Sequence, residues 1–273
     1  MTKRENVLMF VKPYSFNDGE NGNPIAMDIL KYLYEQGCSF NRGMAVRVTP
    51  KMLITHYDEL MREGRANIVY RMIGDYVSEN ISEKLLKGET LTEGELNVPG
   101  KVILAFDMSV PYDMTIEETR DKIIGPTKIM DLNGWVNKLG KDKEKYANNA
   151  KQLLIDAEEK VENQYKTVRG IYQNLGEGAI DSFNTVHCSA NTNDRDIELN
   201  NFFGKEEFNK YATMLDVNKI TSKLDDMLND EAISGLSMSK DWVEINDMIN
   251  MGYSNPLNIE EYKLEESVST DED

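Results

Sequence analysis

The sequence predicts an α/β fold of the split βαβ type, in which a sheet of four strands is covered by helices. Four segments have the length and apolar composition of buried strands. Most connections between these segments are longer than hairpins and have helical patterns. At 273 residues, the chain is long enough to bury a sizeable core.

The first two strands are each followed by a helix. Asn6–Val11 (NVLMFV) is a continuous apolar run that predicts a buried strand, and Pro24–Gln36 predicts the helix after it. Phe40–Val48 predicts the second strand. Thr49 is a residue type favoured at helix N-caps and Pro50 one favoured in the first turn, so we expect a helix to begin there.

The middle of the chain contains the third predicted strand, Val102–Phe106 (VILAF). We expect a helix over Asn67–Lys87 and a loop over Gly88–Gly100 before it. After it, Thr115–Ile124 predicts a helix that ends at Gly125-Pro126.

The second half begins with a charged segment, Lys141–Asn163, that predicts one amphipathic helix. Its apolar stripe consists of Tyr146, Ala150, Leu153, Ala157 and Val161. Ser182–Ser189 (SFNTVHCS) predicts the last strand, and Ile197–Phe203 a helix after it. Lys205–Met251 predicts two or three further amphipathic helices, and Glu265–Asp273 (EESVSTDED) a disordered tail.

Composition narrows the classes of partner. The formal net charge of −17 opposes broad binding to a phosphate backbone, so we expect no nucleic-acid partner. The sequence shows no apolar run of membrane-spanning length and no signal peptide, which predicts a cytoplasmic protein without a membrane partner. Two cysteines, Cys38 and Cys188, give neither a disulfide framework nor zinc spacing, and no metal-ligating residue is predicted.

Of the two histidines in the chain, His187 lies in the last predicted strand. A neutral imidazole can attack a phosphoryl group and form a labile phosphohistidine. Taken alone, however, a histidine among apolar residues is more often a packed core residue. The spacing of its neighbours does not decide between these two interpretations.

Five separated motifs favour the chemical interpretation, and they are Lys12-Pro13, His56-Tyr57, Gly125-Pro126-Thr127, Thr167-Val168-Arg169-Gly170 and Asn184-Thr185-Val186-His187. Their order and their predicted structural settings resemble those of the nucleoside diphosphate kinase family. Beyond them, Glu198 lies in a helix that is similar to the one in which that family places a glutamate beside its catalytic histidine. The resemblance implies a ferredoxin-like core with a four-stranded antiparallel sheet.

The resemblance also implies a role for each of these residues. His187 carries the phosphate, Glu198 orients its ring, with Asp194 or Asp196 as alternatives for that role, and Ser189 hydrogen-bonds the phosphoryl group. Nucleotide binding is assigned to Lys12, Tyr57, Arg65, Thr127, Arg169 and Asn184, with Lys12 and Arg169 supplying positive charge and Asn184 binding the sugar. Mg²⁺ is implied with the nucleotide as cofactor, and nucleoside di- and triphosphates and a homo-oligomer as partners.

The chain departs from the family's pattern at several places. The position of a second phosphate-binding arginine falls on Asp121, which leaves Arg120 and Lys122 as alternative replacements. The position of the base-stacking aromatic falls near Arg65. A long segment, residues 128–166, predicts a helical insertion in the family-like domain of residues 1–203, and residues 204–264 predict a helical C-terminal extension before the tail at 265–273.

Two functions remain open on this basis. The first is an enzyme, a phosphotransferase that acts through phospho-His187. The alternative is a catalytically weakened nucleotide-binding or assembly module on the same fold, with the charged helix and the tail recruiting partners.

Overall fold

The protein has a mixed α+β fold built on one antiparallel sheet of five strands, seen in a computed structural model that describes residues 4–16, 25–147, 149–172 and 185–229. The strands are β1 (Asn6–Val11), β2 (Ser39–Arg47), β3 (Val102–Ser109), β4 (Val186–Cys188) and β5 (Ala212–Leu215). Their order across the sheet is β4-β1-β3-β2-β5, and all neighbouring strands are antiparallel.

Helices cover both faces of the sheet. They are α1 (Ile25–Glu35), α2 (Pro50–His56), α3 (Asp58–Arg62), α4 (Ala66–Tyr76), α5 (Glu79–Leu86), α6 (Glu93–Leu96), α7 (Ile116–Thr119), α8 (Leu132–Leu139), α9 (Lys143–Tyr146), α10 (Ala150–Gln164), α11 (Val168–Tyr172), α12 (Thr192–Gly204), α13 (Glu206–Asn209) and α14 (Val217–Asn229). Pro13–Phe16 forms a 3₁₀ turn and Arg120–Ile124 a π-helical turn. Within the described ranges, no helix is both long and apolar enough to cross a membrane.

Strand β1 explains why the core has two halves. Side chains of successive strand residues point to opposite faces, so Val7 and Met9 pack with α1 in one apolar cluster while Leu8 and Phe10 pack with α2 and α4 in the other. A central strand that is covered on both faces has a continuous apolar sequence instead of an alternating one. The predicted strand Asn6–Val11 is confirmed with the same bounds.

The prediction of four strands is wrong by one strand. Ala212–Leu215 was expected to be helical, but it forms β5 and pairs with β2 in a register that joins Val46 to Ala212 and Gly43 to Leu215. Without β5, the main-chain groups along this side of β2 would form an open sheet edge. Pairing with a distant strand overrides the local helical periodicity of this segment. The extension predicted to be helical over 204–264 therefore contains both helix and strand in its described part.

Two predicted helices are each divided in the structure. Asn67–Lys87 forms α4 and α5, separated where Ser78 adopts an extended conformation before α5. Lys141–Asn163 forms α9 and α10, because Asn149 caps α10 by accepting a hydrogen bond from the main chain of Gln152. The apolar stripe of Lys141–Asn163 is therefore shared by two helices.

The expected loop Gly88–Gly100 contains the short helix α6. Thr92 and Glu95 form a capping box, in which the Thr92 hydroxyl accepts from Glu95 N and the Glu95 carboxylate accepts from Thr92 N. This Thr-x-x-Glu signal was present in the sequence and was missed. The N-cap prediction at Thr49 is confirmed, since its hydroxyl accepts from Met52 N at 3.2 Å.

The insertion, residues 128–166, folds around one buried amide. Gln164 Oε1 accepts hydrogen bonds from Met130 N and Trp135 Nε1, both at 3.0 Å, and Gln164 Nε2 donates to Met130 O at 2.8 Å. These bonds join α8 to α10. Residues 128–166 contain the helices α8, α9 and α10, and their status as an insertion stays a prediction. The disordered tail predicted at 265–273 lies outside the described residues.

Candidate active site

A cleft of about 1030 Å³ opens between helices α2, α3, α4 and α12 and the edge strand β4. Seven of the residues predicted to bind or transfer phosphate line this one cleft, and they are Lys12, Tyr57, Arg65, Thr127, Arg169, His187 and Glu198. Asn184 lies outside the described residues. Residues separated by up to 186 positions in the sequence therefore meet at one place.

His187 is the middle residue of β4, where its Cα lies opposite that of Phe10 on β1. The two rings stack with their centroids 4.5 Å apart and an interplanar angle of 11°. The side chain is 15 % exposed, on the side that faces the cleft. Strand pairing and stacking thus fix the imidazole while leaving it in contact with a ligand-sized space.

Glu198, on α12, forms a hydrogen bond with one nitrogen of that ring. The distance between Glu198 Oε1 and His187 Nε2 is 3.0 Å. Burial alone would raise the pKa of Glu198, but His187, His56 and the Ser189 hydroxyl more than offset it and lower that pKa to about 2. Because an ionised carboxylate can only accept, we assign the proton of the bond to His187 Nε2. In the neutral ring, this assignment leaves the lone pair on Nδ1, which forms no hydrogen bond with any described residue.

Ser189 supports Glu198 and does not line the cleft. Its hydroxyl donates to Glu198 Oε2 at 2.6 Å and accepts from Leu8 N at 3.0 Å, and the residue is fully buried. The predicted hydrogen bond from Ser189 to a phosphoryl group stays a prediction, and in this structure the hydroxyl has Glu198 and Leu8 as its partners. A hydroxyl has one hydrogen to donate, and here it is directed at the carboxylate.

Lys12 follows β1 directly, and its main-chain N–H donates to Thr185 O at 2.9 Å. Only 3 % of the residue is exposed. Burial, together with the charge of Arg169, lowers the pKa of Lys12 to about 7. An anion entering the cleft would stabilise the protonated form of this amine.

Arg169, on α11, is held by main-chain carbonyls. Its Nε and Nη2 both donate to Val186 O, at 3.3 and 3.1 Å, and its Nη1 donates to Gly125 O at 2.9 Å. Gly125 has φ +90°, and a Cβ there would lie 2.0 Å from Thr167 Oγ1, so only glycine fits this turn. Burial lowers the pKa of Arg169 to about 10, which leaves the guanidinium charged at neutral pH.

The π-helical turn Arg120–Ile124 contains both residues, Arg120 and Lys122, that the sequence leaves as alternative replacements for an arginine at position 121. Arg120 lines the cleft, whereas Lys122 donates to Glu118 Oε1 at 3.1 Å on an exposed surface. Asp121 pairs with Lys160 of α10 and so binds the insertion. Of the two alternatives, Arg120 is the one that lines the cleft, and its binding of phosphate stays a prediction.

His56 is the residue that sequence reasoning left without a role. Its ring lies 4.7 Å from that of His187 between centroids, at an interplanar angle of 71°, and lines the same cleft. Burial lowers its pKa to about 3, so this imidazole is neutral at physiological pH. In the sequence it stands out only as part of the His56-Tyr57 motif. Burial and Glu198 raise the pKa of the adjacent Tyr57.

Arg65 and Thr127 lie at the cleft with less definite roles. Arg65 Nη2 pairs with Glu63 Oε2 at 2.5 Å, and about half of its side chain is exposed. An arginine in this setting remains able to turn toward a ligand, since an exposed ion pair contributes little. The base-stacking role of Arg65 and the phosphate bond of Thr127 stay predictions.

No protein-family model matches this chain, and no curated protein matches its sequence. The function proposed below therefore depends on the geometry of the cleft and on the motifs that the sequence places there.

Proposed function

We propose that this chain is a nucleoside diphosphate kinase, which transfers the terminal phosphate of a nucleoside triphosphate to a nucleoside diphosphate through a phosphohistidine at His187. One observation carries the proposal. Glu198 fixes the His187 ring by Nε2 beside a cleft that is also lined by Lys12 and Arg169, so a nucleophilic nitrogen and two cationic side chains share one space.

The proposed reaction has two balanced steps. The Nδ1 lone pair of His187 attacks the terminal phosphorus, an N–P bond forms, and the bond from phosphorus to the bridging oxygen breaks with release of the diphosphate. The terminal oxygen of a second diphosphate then attacks this phosphorus, a P–O bond forms, and the N–P bond breaks with its electron pair returning to Nδ1, which restores the neutral ring. Glu198 stabilises the positive charge that the phosphorylated ring carries between the two steps, because its carboxylate accepts a hydrogen bond from Nε2–H throughout.

Positive charge for the phosphates comes from three side chains that line the cleft. Lys12 gains a proton more readily when an anion is near, and Arg120 takes the place that sequence counting gave to Asp121. Arg169 uses three of its five N–H groups on Val186 O and Gly125 O, which leaves two for a ligand. Stabilising charge on phosphate oxygens is the main demand of phosphoryl transfer.

Mg²⁺ is proposed to enter with the nucleotide. The cleft offers carboxylate oxygens from Asp58, Glu59 and Asp194, and this donor type fits a hard cation that keeps several waters and the substrate's phosphates as ligands. When bound, the ion supplies charge neutralisation on the phosphate chain. Burial and Glu198 raise the pKa of Asp194, and a cation nearby would favour its ionised form.

The order of the first four strands supports a ferredoxin-like core. In the arrangement β4-β1-β3-β2, strand β3 lies between β1 and β2 and is antiparallel to both, as the split βαβ motif requires. Strand β5 then extends this core at the β2 edge. This arrangement brings the edge strand that carries His187 next to the strand that ends at Lys12.

A non-catalytic nucleotide-binding module is the second candidate function. Two sets of hydrogen bonds favour it: Arg169 donates to main-chain carbonyls, and Ser189 donates to Glu198. Both side chains therefore have a structural role that does not require catalysis. This candidate predicts nucleotide binding without turnover. It also predicts that a partner is captured through the helices of the insertion.

Transfer of a radiolabelled γ-phosphate separates the two candidates. Incubation with ATP and Mg²⁺ should give an acid-labile phosphoprotein that is discharged by an added nucleoside diphosphate. The label should be absent from His187→Gln and should still attach to His56→Phe, the matched variant of the other histidine. Label that remains on His187→Gln would refute the assignment.

A further inference from the structure

Asn201 Nδ2, at the cleft, is a buried atom without a hydrogen-bond partner among the described residues, but the larger anomaly is His56. Both its ring nitrogens are buried, and neither has a hydrogen-bond partner among the described residues. A buried polar group without a partner costs about 1–3 kcal/mol, and such groups are rare enough in native proteins to require an explanation. One explanation is a ligand that the ring was placed to bind.

The surroundings of His56 point to the kind of ligand. Its Nε2 lies 3.9 Å from Glu198 Oε1, and the same oxygen lies 3.0 Å from His187 Nε2. One donor atom of each of these three residues lies within 4.8 Å of the other two. In a tetrahedral metal site with bonds of about 2.0–2.2 Å, neighbouring ligand atoms are about 3.4 Å apart, so modest ring movements bring the three to a common centre.

We propose that His56, His187 and Glu198 form a binding site for a divalent transition-metal ion, best suited to Zn²⁺, with solvent from the cleft as the fourth ligand. Two imidazoles and one carboxylate are ligands that such ions prefer, whereas Mg²⁺ and Ca²⁺ prefer oxygen donors. No metal ligand was predicted from the sequence, because the three residues are spread over positions 56 to 198 and have none of the short spacings of known metal motifs.

The charges around the three ligands are mixed. Lys12 and Arg169 line the same cleft and oppose a cation, while the carboxyl groups of Asp194 and Glu198 favour one. His187 must move its proton from Nε2 to Nδ1 to free the nitrogen that faces Glu198.

That proton shift gives the metal a regulatory consequence, which rests on the proposed function. With the metal on Nε2 and the proton on Nδ1, the ring has no lone pair for attack on phosphorus. Bound Zn²⁺ would thus prevent phosphorylation of His187, and a chelator would restore it. The metal site itself does not depend on this consequence.

Titration of untagged, metal-free protein with Co²⁺ tests the site directly, without any nucleotide. We expect one Co²⁺ per chain with the intense visible absorption of four-coordinate cobalt, displaced by Zn²⁺ and unaffected by excess Mg²⁺. His56→Phe and Glu198→Gln should each weaken binding by at least ~10-fold. Asp194→Asn is the control for Glu198→Gln, because it removes the same charge from the cleft without removing a ligand.

Two results would overturn the proposal. One is Co²⁺ binding that persists in His56→Phe, which would assign the ion to acidic groups elsewhere on a chain of net charge −17. The other is the absence of four-coordinate absorption in the unaltered protein. Histidine NMR supplies a second readout should a variant misfold, since Zn²⁺ should shift the resonances of both rings in the unaltered chain. If the unaltered protein binds Co²⁺ as expected but shows no phosphotransfer, the proposed function is rejected and the metal site is not.

Discussion

The Ser189 hydroxyl donates a 2.6 Å hydrogen bond to the Glu198 carboxylate that holds His187. Since the same hydroxyl accepts from Leu8 N, it connects β1, the end of β4 and α12 at one oxygen. The orientation of the proposed nucleophile therefore depends on a residue that does not touch the cleft.

Ser189→Ala tests this dependence. It leaves Leu8 N without a partner and removes a donor from Glu198, so we expect a loss of about 1–3 kcal/mol in the free energy of unfolding, measured with urea. The rate of His187 phosphorylation should also fall. Ser82→Ala, a buried serine of α5 that does not line the cleft, should leave that rate unchanged. An equal fall in the phosphorylation rate of Ser189→Ala and Ser82→Ala would contradict a specific role of Ser189 in orienting His187.

Glu198→Gln and Asp194→Asn should change the pH dependence of stability in opposite directions. The pKa of Glu198 is lowered to about 2 from an ordinary value of 4.5, so its carboxylate stabilises the fold above pH 4.5 and this stabilisation is lost as the pH falls toward 2. We expect the stability advantage of the unaltered protein over Glu198→Gln, on the order of 2 kcal/mol at pH 6, to shrink below pH 4.5.

The pKa of Asp194 is raised, so its ionised form destabilises the fold near neutral pH. The unaltered protein should therefore gain stability relative to Asp194→Asn as the pH falls through the pKa of this group. Urea unfolding between pH 3 and pH 7 measures both differences. Parallel curves for the two variants would show that Glu198 is not held in its ionised form by its partners.

Nucleotide binding should be accompanied by proton uptake at Lys12. The pKa of this amine is lowered to about 7, so above pH 7 part of the population is neutral, and a bound triphosphate raises the pKa again. Calorimetry of ATP binding at pH 8 in two buffers of different ionisation enthalpy measures the uptake. Lys12→Arg, which stays charged, should abolish it. Identical heats in both buffers for the unaltered protein would exclude a neutral Lys12.

Arg120→Ala should weaken ATP binding, and Lys122→Ala should not. Arg120 lines the cleft, whereas Lys122 is paired with Glu118 on the surface, and an exposed pair of this kind contributes about 1 kcal/mol or less. We expect at least a ~10-fold rise in Kd for Arg120→Ala, from the loss of a charged hydrogen bond to phosphate. A larger rise in Kd for Lys122→Ala than for Arg120→Ala would contradict the assignment of Arg120 as the residue that contacts the phosphates.

Local signals in the sequence were sufficient to predict two elements that position the site, β1 and the start of α2. The apolar run that forms β1 and the Thr49 cap of α2 both depend on neighbouring residues alone, and both were predicted. Strand β5 was missed because its pairing partner, β2, lies more than 160 residues earlier, and no local pattern encodes such a pairing.

The site was predicted as a set of motifs, but its geometry was not. Counting back from Thr127 placed the second phosphate-binding arginine of the resemblance at Asp121, whereas Arg120 is the residue of the π turn that lines the cleft. The direction of the Ser189 hydroxyl and the unsatisfied ring of His56 depend on packing between β1, α2 and α12. Such contacts cannot be read from residue spacing.

The location of the phosphate on the enzyme tests the central claim most directly. Protein labelled with ¹⁵N-histidine and phosphorylated with ATP and Mg²⁺ should show a ³¹P–¹⁵N coupling at Nδ1 of His187, because Nε2 is held by Glu198. A coupling at Nε2 of His187, a signal at His56, or a phosphate on no histidine would contradict the account.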